Sequence, residues 1–221
     1  MEARVKQITN ILDEKNLKYP QNMELFDDKT YLRDLNTIAQ RAIATAIMAK
    51  CACDLYDAEQ PDKTKADCLA ALKNFGVENC LFEAEQKILT DDYNEPQFDA
   101  VAWTYEAAKA LLWAMGLLDD IVAADLPEDV VSETNKVFEL INAYNRYDDF
   151  IAACNLRTEP ELQDAYQLYW YYHWNIRDGQ IFGNRPKSIS YDVVLERRRA
   201  LQWLLYSDES YDGDWNFAMD T

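Results

Sequence analysis

The chain has 221 residues, 49% hydrophobic and 13% aromatic, with six Trp and fourteen Tyr; that is material for a compact core and excludes a disordered chain. Its formal net charge is −18, a surface that repels phosphate backbones, so DNA and RNA are excluded as expected partners. No apolar run approaches the roughly 20 residues of a membrane span, and the charged start Met1-Glu2-Ala3-Arg4 does not read as a signal peptide, so a cytoplasmic protein with no membrane partner is expected.

In chain order, Val5, Ile8, Ile11 and Leu12 fall on one helical face that ends near Asn16. Residues 17–28 contain Pro20 and read as a connection. A long helix follows, its stripe formed by Leu32, Leu35, Ile38, Ala39, Ala42, Ile43, Ala46 and Ile47, up to about Asp57. Gln60-Pro61-Asp62 breaks it, and the pattern resumes to Phe75, where Gly76 terminates it. Residues 80–90 predict a short helix. Pro96 sits in the first turn of one periodic segment reaching Gly116, and Leu126-Pro127-Glu128 starts another through Val130, Val137, Phe138 and Ile141.

Thr158-Glu159-Pro160-Glu161 is a capping box, in which Glu161 returns to the Thr158 amide while Pro160 needs no donor. Its helix is expected to reach about Asp178, before a loop marked by Gly179, Gly183 and Pro186. Ser190 caps the last helix, which ends near Tyr206. The expectation is all-α: one irregular bundle of about eight helices, residues 1–221 forming a single domain. A split near Pro61 or Pro127 would make two lobes of one core.

The charge is concentrated. Residues 91–165 hold 4 basic and 17 acidic side chains, a net of −13. This is either a solvated face or an acidic docking surface for a basic protein partner. Five cysteines, an odd number in a chain large enough not to need staples, fit a reduced compartment. Cys51 and Cys53 point apart on a helix, and His173 is the only histidine, so no metal and no cofactor are expected.

Polar groups meet the apolar pattern at three places. Trp103, Glu106, Ala110 and Trp113 share a face by spacing, and a carboxylate between two indoles calls for a partner, expected to be an arginine. Tyr169, His173 and Arg177 align by i, i+4, and His173 is either hydrogen-bonded structurally or a general base. On the last helix, Val194, Arg197 or Arg198, Leu201, Leu204 and Leu205 face inward, while Glu196, Arg199 and Trp203 follow one side. Trp215 is expected to fold back onto the helical body, with Asp214 or Asp220 meeting an arginine of the last helix or local amides, the alternative being a frayed end.

Trp103-x-x-Glu106 leading into Leu111-Leu112-Trp113-Ala114-Met115-Gly116, then Leu156-Arg157, the run Glu196-Arg197-Arg198-Arg199-Ala200-Leu201-Gln202-Trp203-Leu204, and Asp214-Trp215 closing on Asp220-Thr221 together resemble the bacterial family called domain of unknown function 4272 (DUF4272). Thr104 stands where that family usually has arginine, Arg198 where histidine is common, and Gln202 where asparagine is usual. The resemblance implies a helical cytoplasmic protein and carries over no activity, cofactor or partner. Two functions are therefore expected as competitors. One is a non-enzymatic interaction or scaffold protein using its acidic region. The other is an enzyme or binder of an anionic ligand, its pocket lined by Trp103, Glu106, Trp113, His173, Arg177, Glu196, Arg197 and Trp203.

Overall fold

The structure, a computed structural model, describes residues 2–26, 30–206, 215 and 219. The described residues are all-α, with no strand and one isolated parallel bridge between Tyr31 and Tyr206. The helices are α1 (Glu2–Glu14), α2 (Leu35–Leu55), α3 (Pro61–Phe75), α4 (Glu83–Thr90), α5 (Glu95–Trp103), α6 (Tyr105–Ala114), α7 (Val130–Asn142), α8 (Tyr147–Ala153), α9 (Glu159–Phe182) and α10 (Tyr191–Leu205). None of the described helices is long and apolar enough to cross a membrane.

Two of the ten go beyond the expected eight. The segment read as one helix from Pro96 to Gly116 is interrupted at Thr104, where the backbone amide donates to Val101 O at 3.1 Å and the hydroxyl to the same oxygen at 2.6 Å. Bonds to residue i−3 tighten the turn and replace the i−4 ladder. Helix α8 is seven residues long and buries only Phe150, too little for a visible period. Two boundaries also differ. Helix α7 starts at Val130 because Asp129 accepts from the Ser132 amide at 3.1 Å. Helix α9 runs through Gly179 to a left-handed cap at Gly183, φ 72°. Gly179 is needed inside it because a Cβ there would lie 2.7 Å from the Arg185 Cα.

The chain divides into two compact units: a first of Met1–Arg33, Asp119–Leu126 and Arg157–Thr221, and a second of Asp34–Leu118 and Pro127–Leu156.

The second unit is organised on α2, which packs against α3, α5, α6 and α7. Its alanines at 39, 42, 44, 46, 49 and 52 are buried, as are Ala107, Ala108, Ala110 and Ala114 of α6, and small side chains let helix axes approach. Ile38, Ile43, Ile47 and Met48 fill the remaining volume, each stabilising by roughly 1.5–3 kcal/mol through burial. The one large cation on this apolar stripe, Arg41, meets Glu85 at 2.5 Å, Cys80 O at 2.7 Å and Thr45 at 2.8 Å. Gly116 closes α6 at φ 74°, with Asn155 O only 2.8 Å from where a Cβ would sit.

The first unit is built on α9, packed by α10 and α1. Glu161 accepts from the Thr158 amide at 2.9 Å, as the capping pattern predicts for the glutamate, and the Thr158 hydroxyl, expected to accept a helix amide, instead donates to Glu161 at 2.6 Å. Arg4 holds Asp164 through both carboxylate oxygens, at 2.9 and 3.0 Å. Two amide side chains of α9 then fix the connection after α1. Asn175 accepts from the Lys18 amide and donates to its carbonyl, and Gln167 does the same for the Phe26 amide and the Glu24 carbonyl. Buried backbone that forms no helix needs such partners.

Candidate functional site

The sequence-predicted residues fall in distinct settings. In the second unit Glu106 is 1% exposed and pairs with Lys109, Nζ to Oε1 3.2 Å. Lys109 also meets Glu133 at 2.6 Å, and Glu133 meets Lys136 at 2.6 Å. These two lysines hold the Glu133 carboxyl down to about 2. Trp113 is buried in α6. Trp103 belongs to the preceding helix and is half-buried, at the wall of a surface cavity of about 210 Å³ shared with Tyr56, Asp57, Phe98, Asp99 and Val131. The charged groups of that cavity are carboxylates.

In the first unit, His173 is 4% exposed and its Nδ1 lies 2.6 Å from Arg198 Nη1. A guanidinium only donates, so Nδ1 is the acceptor and the neutral ring carries its proton on Nε2. Among the described residues that Nε2 has no hydrogen-bond partner. Burial, with Arg198 and Arg177 beside the ring, pushes the imidazole pKa down to about 4. A ring that resists protonation, with its basic nitrogen already engaged, is poorly suited to act as a general base near neutral pH. Arg177, one turn further on α9, is exposed.

Arg197 turns to a different task. Its Nη1 reaches Ala123 O at 2.6 Å, Tyr169 Oη at 2.8 Å and Ile121 O at 3.2 Å. Tyr169 donates to Ile121 O at 2.6 Å, Tyr172 to Val122 O at 3.1 Å, and the Ser190 amide to Ala124 O at 2.7 Å. Helices α9 and α10 thereby satisfy the carbonyls of non-helical residues 121–124. Glu196 pairs with Arg199 at 2.7 Å. Trp203 carries the Arg33 guanidinium over its ring at 4.3 Å and meets Trp215 edge-on at 6.0 Å; Trp215 is 4% exposed. Asp214 and Asp220 lie outside the described residues.

Sequence reasoning missed Arg33 on Trp203, Lys109 on Glu106 and the aromatic cavity at Trp103. Phe98/Ala102 and Asp99/Trp103 are i, i+4 pairs on α5, but nothing local in the sequence brings them to Cys53, Tyr56 and Asp57. A second unforeseen feature is a polar cleft of about 590 Å³ in the first unit, at the C-terminal ends of α1 and α9. Lys18 on its wall pairs with Asp178 at 2.7 Å and Lys15 with Asp125 at 3.9 Å. Arg185 and Lys187 are exposed and, among the described residues, have no ion-pair partner.

Among the described residues no group of three or more His, Cys, Asp or Glu is placed to hold a metal ion. The family model described as Domain of unknown function (DUF4272) matches residues 4–215. No curated protein and no solved structure matches the chain.

Proposed function

The chain belongs to the DUF4272 family, and we propose that it is a non-enzymatic interaction protein of the cytoplasm that engages a basic protein partner through its acidic surface. The observation that carries this reading is a contrast between buried and exposed charge. The buried candidates for chemistry are committed to internal partners: His173 to Arg198, Arg197 to backbone carbonyls, Glu196 to Arg199 and Glu106 to Lys109. Glu95, Asp99, Glu128 and Glu139 are exposed and, among the described residues, have no ion-pair partner. Unneutralised carboxylates steer a cationic partner and make its binding sensitive to salt. All five cysteines are free thiols, which supports a reducing compartment. Affinity capture from the native host at low and raised salt tests the reading. It requires at least one basic protein that is released as salt rises, and their absence counts against it.

A second reading, a binder of a small anionic ligand, is favoured by the cleft that holds Arg185 and Lys187. Titration with inorganic pyrophosphate, for the intact chain and for an R185Q/K187Q variant, decides it. Saturable binding lost in the variant supports it, and no binding removes it.

A further inference from the structure

The cavity at Trp103 has a chemistry that its volume alone does not convey. Three aromatic residues wall it, Tyr56 from the end of α2 and Phe98 and Trp103 from α5, with Val131 of α7 beside them. The Tyr56 and Phe98 rings stand 6.4 Å apart at 36°, and Tyr56 is 71% exposed. A tyrosine that exposed and a half-exposed Val131 make an apolar rim in contact with solvent.

The charge on the cavity is of one sign. Asp57 follows Tyr56 and Asp99 follows Phe98, so each acid neighbours one of the rings. Both are exposed and, among the described residues, neither has an ion-pair partner. Some exposed acids of this unit do find cations, Asp54 with Lys50, Glu83 with Lys87 and Asp91 with Lys65; Asp57 and Asp99 are among those that do not. The faces of aromatic rings carry partial negative charge and attract cations. Rings and two uncompensated carboxylates therefore select the same thing, a cation with a flat or apolar body.

We propose that this cavity is the anchor pocket of the acidic surface and takes the side chain of an arginine from the basic partner. The proposal rests on the interaction reading above and names the group that it recognises. Arginine fits better than lysine because its planar guanidinium stacks on rings while forking to carboxylates, and because it is more weakly hydrated than an ammonium. About 210 Å³ accommodates one such side chain, with its methylene stem against Val131. Interface anchors of this type, arginine among aromatic residues, are where binding energy concentrates.

The experiment is an NMR titration of the full chain, observing the six tryptophan indole N–H signals, with Trp103 assigned through W103F. The probes are N-acetyl-arginine amide and N-acetyl-lysine amide, each of single positive charge. Arginine is expected to shift the Trp103 signal saturably and the other five little, with lysine at least threefold weaker. Neutralising the pocket in D57N/D99N is expected to weaken arginine binding at least fivefold. D148N/D149N removes the same charge from exposed acids outside the cavity and is expected to leave binding within twofold of the parent. No saturable shift at Trp103, equal binding of both probes, or equal loss in the two double variants would overturn the pocket. A basic partner still captured salt-sensitively after such a result would show that the pocket had failed and the acidic-surface reading had not.

Discussion

Arg198 Nη1 stands 2.6 Å from Nδ1 of His173, and that one contact decides the chemistry of the only histidine in the chain. It fixes the neutral tautomer and adds a positive charge to a ring already disfavoured from charging by burial. The same pair that makes His173 unsuited to proton transfer makes it a reporter of folding.

The folded-state pKa of about 4 lies below the ordinary 6.5 of an unfolded chain. The unfolded state therefore binds the proton first, and the stability contributed by neutral His173 is complete above about pH 6.5 and is lost as pH falls toward 4. Between pH 7 and pH 5 this amounts to about 2 kcal/mol. Urea denaturation at the two pH values should show that loss, and H173N, which retains an acceptor for Arg198 but does not titrate, should flatten it. An identical slope in the variant would mean that the ring is not held as described.

Replacing Arg197 with Met removes the donor to Ala123 O while keeping much of the stem's packing. Leaving this part-buried carbonyl and the buried Ile121 carbonyl short of their charged donor is expected to destabilise by about 1–3 kcal/mol. Hydrogen exchange should rise first in residues 119–126, and denaturation should give the magnitude. A loss under about 0.5 kcal/mol would mean that water replaces the guanidinium without cost.

Helix positions were legible where the signal is local. Pro61 and Gly76 bracket α3, Thr158 and Glu161 open α9, and stripes of Ile and Ala mark α2. The break at Thr104 was not legible, since it rests on a hydroxyl that chooses the Val101 carbonyl, and threonine elsewhere sits within helices. The arginines of α10 were recognised as facing inward, but neighbours on a helix differ by about 100°, so the pattern alone left Arg197 and Arg198 as alternatives. The structure sends one to carbonyls 121 and 123 and the other to His173. The roles of Asn175 and Gln167 were not legible, because their partners, Lys18, Glu24 and Phe26, lie more than 140 residues away.

Gly116 combines a left-handed φ with a neighbour too close for any side chain. Gly116→Ala should lower stability by about 2 kcal/mol, through strain in the left-handed region and displacement of Asn155. Thermal denaturation of the variant measures it. No change in melting temperature would show that the 115–116 turn relaxes freely.

Trp215 is buried against Trp203, which also carries Arg33. Burial of about 100 Å² of an indole stabilises by roughly 2–3 kcal/mol before ordering costs. Deleting residues 212–221 should therefore lower the melting temperature by several degrees. An unchanged value would mean that the tail adds nothing to the fold.

Exposed, uncompensated carboxylates are expected to recruit a basic partner. The most direct measurement of this is quantitative capture from host extract with the parent chain and with an E95Q/E128Q/E139Q variant as bait, at low and raised ionic strength. The variant leaves the Trp103 pocket untouched and removes three unpaired charges from the surface. A basic protein should be retained by the parent at low salt, released as salt rises, and recovered at least fivefold less on the variant. Equal recovery on both baits, or no salt-sensitive basic protein on either, would contradict that expectation.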